Sequence, residues 1–282
     1  VETVRYRPAH RAVLKHQISW RRSHTPGLTL FARVMPPSHL DKYMGTLALA
    51  KKSGFCVPEP VGTWVEGGVI WTPEVLGETV RSSIRAGCPP PVEGLLGGLA
   101  QLWSSRAAPE ATPGHTLDVL GGYQMSRDLL EHVVWDDGSR KQLESITNVL
   151  GDFAEAWIPT CLAHNDFHDD QLILTTEGQL ALIDFEEVGS GDPLLDVGML
   201  LAHLHWMADF SATPEAFRSY RDQIRSSALS NFGWNKQELD IREAFALFRL
   251  SSGPIRHLKG DWAKQVSSAL DIVAELLASA RS

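Results

Sequence analysis

The stretch that decides the fold is residues 161–201. Its core reads His164-Asn165-Asp166-Phe167-His168-Asp169-Asp170-Gln171. Then come Leu182-Ile183-Asp184-Phe185-Glu186-Glu187 and Gly191-Asp192-Pro193-Leu194-Leu195-Asp196-Val197-Gly198. Asp166 precedes a polar run and is expected in a loop. Asp184 closes the apolar run 180–183, which reads as a short buried strand. A carboxylate at the end of such a strand is held rigidly and points into a cleft, where a metal or a base is useful.

The spacing matches a kinase catalytic loop, H-x-D-x-x-x-x-N, followed by a metal-binding Asp. All three blocks together resemble the aminoglycoside phosphotransferase-like superfamily of choline and aminoglycoside kinases, which is protein-kinase-like. Its usual text is close to H-G-D-x-H-x-x-N, then I-D-[FW], then G-D-P-x-x-D. A lone H-x-D is weak evidence, whereas three blocks in order and at the right spacing are specific. They cover roughly a seventh of the chain, and the remainder follows in layout. The resemblance implies an α+β, bilobal fold with a small antiparallel β-sheet N-lobe and a larger, mainly helical C-lobe. Residues 1–76 would be the nucleotide-binding lobe and residues 77–282 the catalytic and acceptor-binding lobe.

The resemblance also implies roles. Asp166 would accept or orient the acceptor's hydroxyl proton, and Asp184 would hold Mg2+ bridging the phosphates. Gln171 stands where the family has Asn; it would offer a second metal the same amide oxygen on a stem one methylene longer. His164 would buttress the loop backbone, and Asp196 would bond backbone groups of the same loop. Glu74-Val75-Leu76-Gly77 would be the interlobe hinge, with Glu74 and Leu76 meeting the nucleotide base. Arg33 occupies the usual position of a strand lysine, a swap that is not neutral. The helix after it contains no Glu. Lys15, on the preceding strand, offers an alternative phosphate contact. The turn 7–11 lacks glycine, so guanidinium groups would meet phosphates there instead of backbone amides.

Charge adds a partner class. Residues 1–52 carry ten Lys and Arg against Glu2 and Asp41, while no Lys or Arg lies between Lys141 and Arg218. A basic part facing an acidic part suits a polyanion with bound cations between them. Asp169, Asp170, Glu186 and Glu187 have no basic neighbour in sequence, so they are expected to form an acidic rim attracting a cationic acceptor. The reading is a Mg2+-dependent phosphotransferase moving the γ-phosphoryl of ATP or GTP to a hydroxyl of a small molecule, with a peptide acceptor left open. The alternative is a catalytically silent kinase-fold protein that binds a nucleotide or a peptide or protein partner. Keeping both Asp166 and Asp184, which are costly to desolvate, favours activity.

The totals agree with a globular chain. Its 282 residues are 43% hydrophobic and 21% charged, enough for one large domain or two lobes. There is no long charge-free apolar run and no charged-then-apolar leader, so neither a membrane span nor a secretory signal is expected. A sequence opening on Val1 is expected to continue upstream. Cys56, Cys88 and Cys161 lack C-x-x-C spacing and read as reduced thiols of a cytoplasmic protein. Without interleaved aromatics, and with an acidic pI, nucleic acid is not an expected partner. Strands are expected at 3–6, 12–20, 28–35, 61–65 and 69–72, with a helix at 39–53. Helices follow at 92–103, 125–135, 140–157, 194–210, 214–232, 236–250 and 261–280, with a loop at 107–116.

Overall fold

Alternating β-branched, apolar and basic residues open the chain as strands. In this computed structural model, which describes residues 1–8, 11–19, 27–105, 115–134, 136–257 and 260–281, they are β1 (Glu2–Arg7), β2 (Arg11–Ile18) and β3 (Leu28–Val34). The register sets Val13 opposite Arg33 and Lys15 opposite Phe31. Arg11, Lys15 and Arg33 therefore share one sheet face, because side chains alternate with a period of two. Pro36 and Pro37 end the third strand. A short 3-10 turn then leads into α1 (Leu40–Ala50), which buries Leu40, Tyr43 and Leu47 on one face. The hairpin of β4 (Gly62–Trp64) and β5 (Val69–Pro73) turns through Gly68 at φ 62°, a left-handed conformation glycine adopts without strain. These strands form an antiparallel sheet of order β1-β2-β3-β5-β4.

The chain leaves that sheet at Pro73. It continues as β6 (Gly77–Thr79), α2 (Val80–Arg85), α3 (Val92–Ser104), β7 (His115–Thr116), α4 (Val119–Val133) and α5 (Asp137–Ala156). Four short strands carry the diagnostic stretch: β8 (Cys161–Ala163), β9 (Leu172–Thr175), β10 (Leu180–Leu182) and β11 (Gly189–Gly191). The β9–β10 hairpin takes β6 at its edge, while β11 pairs antiparallel with β8 and parallel with β7. Two frames therefore hold the loop 164–171 and the segment 183–188 side by side. The chain ends with α6 (Pro193–Phe210), α7 (Pro214–Phe232), α8 (Lys236–Ser251), the single turn α9 (Gly253–Arg256) and α10 (Trp262–Arg281).

Asp192 caps α6 by accepting the Leu194 N–H at 2.9 Å, with Pro193 at the first helical position. This helix is buried nearly all round, as a helix apolar on every face must be. It crosses α8 so closely that a Cβ on Gly198 would stand 2.8 Å from the Arg242 carbonyl carbon. One apolar cluster runs from Tyr43 and Leu47 through Ile70, Leu95 and Phe167 to Leu200 and Phe217. It binds the sheet-bearing part to the helical part. A second cluster joins α4, α5, α8 and α10 through Leu130, Leu150, Phe248 and Val273.

Several expectations need correction. The helix expected at 125–135 begins at Val119, because Asp118 caps it by accepting the Gly121 N–H at 2.8 Å. Its Gly121-Gly122 pair hides this first turn from hydrophobic periodicity; Trp135 lies outside the described residues. Likewise α5 starts at Asp137 under an Asp136 cap. Of the expected loop 107–116, residues 107–114 lie outside the described residues, and His115–Thr116 pair with β11. Residue 20, the last of the expected strand 12–20, also lies outside them. No described helix is long and apolar enough to cross a membrane.

Candidate active site

The loop between β8 and β9 is held by one buried carboxylate. Asp196 on α6 accepts the His164 N–H at 2.8 Å, the Asn165 N–H at 2.7 Å and the Trp103 Nε1–H at 2.9 Å. Asn165 sits at φ 68°, a conformation that favours Gly and that Asn tolerates best among the other residues. Its Nδ2 donates to the Glu187 carbonyl at 2.9 Å, pinning the loop to the second segment. Buried His164 lies 2.7 Å from the Asp184 carbonyl through Nε2, and burial pushes its pKa down to about 4, so the neutral ring donates there. Replacing Asp196 with Asn would turn an amide N–H against these donors. We expect a loss of about 1–3 kcal/mol, read as a lower urea midpoint, with an unchanged midpoint contradicting the tethering role.

These tethers bring Asp166 and Asp184 within electrostatic reach of each other. Asp166 is exposed to solvent, yet the surrounding protein desolvates its carboxyl and raises it to about 6. The Arg249 guanidinium opposes that rise, as does Gln171, whose Nε2 donates to Asp166 Oδ2 at 3.3 Å. The Gln171 Oε1 accepts the His168 N–H at 3.2 Å, which leaves this oxygen a second lone pair.

Arg33 forms an ion pair with Glu186 and stands 5.2 Å from the Tyr43 ring centroid. Arg11 also pairs with Glu186 and lies 4.0 Å from Asp184 Oδ2. Glu186 thus supplies the carboxylate that α1 lacks. Lys15 lies elsewhere: its Nζ donates to Glu74 Oε1 at 2.9 Å, just past the end of β5, and this bond holds the Glu74 carboxyl below its usual range. Lys15, expected as an alternative phosphate contact, here pairs with Glu74, as Arg11 and Arg33 pair with Glu186. In the segment expected to be the hinge, the Glu74 N–H donates to the Thr29 carbonyl at 3.1 Å, the Leu76 carbonyl accepts the Thr176 N–H at 3.3 Å, and the Leu76 side chain is exposed.

The expected acidic rim is largely neutralised. Asp169 is fully buried, with Arg81 Nε and Nη2 donating to its two oxygens at 2.9 and 3.0 Å. Arg81 Nη1 reaches Asp170 at 3.1 Å. Asp169 offers no open oxygen to an acceptor, Asp170 shares its charge with Arg81, and Glu186 faces two arginines. His168 stacks on His203 with ring centroids 4.3 Å apart, and burial keeps both rings below their usual pKa. With Asp169 they set three ligand-type atoms within 4.8 Å of one another, but Arg81 already occupies that carboxylate.

The model of the phosphotransferase enzyme family, APH, matches residues 17–230. The chain belongs to this family. No curated protein matches it in sequence. Among solved structures, a choline/ethanolamine kinase family protein from Mesorhizobium loti aligns with a TM-score of 0.62 at 16% identity, covering 95% of this chain and 92% of that one. Choline kinase LicA from Streptococcus pneumoniae aligns at 0.58 and 13% identity, over 93% and 94% of the two chains. Aminoglycoside phosphotransferase APH(2'')-Ib with ADP bound aligns at 0.53 and 16%, over 94% of each. At such identities the likeness shows the fold, a kinase-like bilobal architecture of sheet and helical lobes.

Within that fold this phosphotransferase-family chain adds residues that local pattern could not reveal. Arg81 and Asp169 are 88 positions apart, and Arg11 and Glu186 are 175 apart. The one local signal was Glu186 itself, a second carboxylate two residues after Asp184. Trp103, whose indole meets Asp196, packs on Phe232 and Trp234 and belongs to the core.

Proposed function

We propose that the chain is a Mg2+-dependent phosphotransferase that moves the γ-phosphoryl group of ATP or GTP to a hydroxyl of a small molecule. The observation that supports this reading is the set of tethers from Asp196, His164 and Asn165 that hold the Asp166 loop against the Asp184 segment. Residues 1–76 would hold the nucleotide, with the base at Glu74 and Leu76, and residues 77–282 would supply the acceptor side. Nucleotide binding draws support from the ADP named with APH(2'')-Ib and the GDP named with an aminoglycoside 2'-phosphotransferase-IIIa.

The donor set fits a hard divalent cation: the Asp184 carboxylate, partly exposed, and the Gln171 amide oxygen would hold it. A bound Mg2+ supplies charge neutralisation at the phosphates. The chain's own groups do the remainder. Arg33 and Arg11 orient the phosphates, and Asp166 takes the acceptor's hydroxyl proton. The hydroxyl oxygen then bonds the γ-phosphorus while the bond to the β–γ bridging oxygen breaks, leaving a nucleoside diphosphate. Holding these partners in line is most of the catalysis. Of the four carboxylates expected to attract a cationic acceptor, Asp169, Asp170 and Glu186 already meet arginines and lend that reading less support.

The second reading, a silent kinase-fold protein binding a nucleotide, peptide or protein, draws on Glu186, which engages Arg33 and Arg11, the latter 4.0 Å from Asp184. Acceptor screening with labelled ATP and GTP separates the two. Label appearing on a hydroxylated small molecule supports the enzyme, and nucleotide binding without transfer to any acceptor supports the silent protein. A cytoplasmic location is proposed on the reading of Cys56, Cys88 and Cys161 as reduced thiols.

A further inference from the structure

The loop 164–171 has a second anchor on α6, and the inference drawn from it rests on the phosphotransferase reading above. Asp196 and His203 lie about two turns apart on this helix and so share one of its faces. Asp196 holds the loop at His164 and Asn165. His203 meets it further on: its ring stacks on that of His168, with centroids 4.3 Å apart and planes inclined by 16°. The loop therefore runs along α6 from Asp196 to His203. Arg81 of α2 adds a clamp at the next residue, where its backbone N–H donates to the Asp169 carbonyl at 3.1 Å beside the two side-chain bonds.

His168 passes this support to the reacting groups. Its backbone N–H donates to Gln171 Oε1 at 3.2 Å, and Gln171 Nε2 donates to Asp166 Oδ2 at 3.3 Å. Its ring accepts the Asp170 N–H at Nδ1, 3.3 Å away, which ties the ring to the backbone that follows it. The Gln171 carbonyl accepts the Ile183 N–H at 3.0 Å, one residue before Asp184. Gln171 is buried, and one orientation of its amide satisfies both neighbours, oxygen toward the His168 N–H and nitrogen toward the carboxylate. A continuous series of contacts thus joins His203, His168, Gln171 and Asp166.

The histidine pair is shaped for bracing and not for chelation. A nitrogen of each ring and an Asp169 oxygen lie within 4.8 Å of one another, but a metal needs lone pairs that converge on one point. Those of an imidazole lie in the ring plane, and two stacked, nearly parallel planes keep them apart. Two flat faces in contact instead fix each other's rotation.

We propose that His203 is a positioning residue of the phosphotransferase centre, bracing His168 from α6 so that Gln171 and Asp166 keep the geometry that phosphoryl transfer needs. The role requires a flat ring at position 203, and the ring's basicity plays no part in it.

The test measures Mg2+-dependent turnover of ATP and GTP, nucleotide affinity and melting temperature for the full chain as wild type, His203→Ala and His203→Phe. NMR of histidine-labelled protein adds a readout independent of turnover, because protons of the His168 ring feel the ring current of the facing residue. His203→Ala is expected to lower kcat about 10–100-fold, the scale of a displacement of about 1 Å at a reacting group, with nucleotide affinity held within a factor of about two. The His168 resonances should move in the same variant. His203→Phe keeps a flat ring in place and should recover most of the lost turnover. Turnover in His203→Ala equal to wild type overturns the positioning role while leaving the phosphotransferase standing. So does a parallel loss of turnover, nucleotide affinity and melting temperature, or a His203→Phe variant that is folded yet as slow as His203→Ala. A wild type that binds nucleotide and never turns it over overturns both readings.

Discussion

Asp166→Asn is expected to lower kcat by about 10²–10⁴-fold, the range for loss of a positioned general base, while nucleotide affinity stays within a factor of about two. Asparagine keeps the shape of the side chain and can still meet Gln171, but it cannot take a proton. The same residue sets the pH profile. Desolvation raises the Asp166 carboxyl to about 6, against the opposing pull of Arg249. The active form of a base is the deprotonated one. Hence kcat/KM of the free enzyme should rise as pH increases through about 6, level off above it, and fall away below it. The variant should retain only a low, flat profile across that window. A variant with near-native kcat would remove Asp166 from the proton-accepting role.

Arg81→Met is expected to destabilise the fold by about 3–5 kcal/mol, the usual result of removing one partner of a buried ion pair. Asp169 has no solvent exposure, and both of its oxygens are met by the guanidinium. Without Arg81 that carboxylate is buried and unpaired. The exposed Asp170 contact adds little, since surface pairs are worth about 0–1 kcal/mol. Adding Asp169→Asn should recover much of the loss, because the charge that Arg81 balanced is gone as well. Urea denaturation of the wild type, both single variants and the double variant measures this directly. Equal midpoints for the wild type and Arg81→Met would show that the pair contributes nothing to the fold.

The strands around residues 3–6, 28–35 and 69–72 were legible because alternation and turn residues are local signals, and they correspond to β1, β3 and β5. The long terminal helices were legible for the same reason, through apolar residues at three-to-four spacing. The Asp118 cap went unread because the glycines after it look like a breaker, although the cap alone sets the helix start. In the site, the order of the three motif blocks was enough to place Asp166 after β8 and Asp184 after β10. Its charge balance was not legible. Asp169, Asp170 and Glu186 look like an open acidic rim in a stretch without Lys or Arg, and their partners Arg81, Arg11 and Arg33 arrive from other strands and helices. Arg249 likewise meets Gly122 only through the packing of α8 on α4. Pairing across such separations is set by topology, which local pattern does not contain.

We propose that Asp184 and Asp166 share one Mg2+-dependent phosphoryl-transfer centre. Its most direct test is turnover of ATP and GTP, with and without Mg2+, by the wild type and by Asp184→Asn, each checked for an unchanged melting curve. Turnover is expected to require Mg2+ in the wild type and to fall to background in the variant. Equal turnover in the two proteins, or nucleotide bound by the wild type and never turned over, would contradict it.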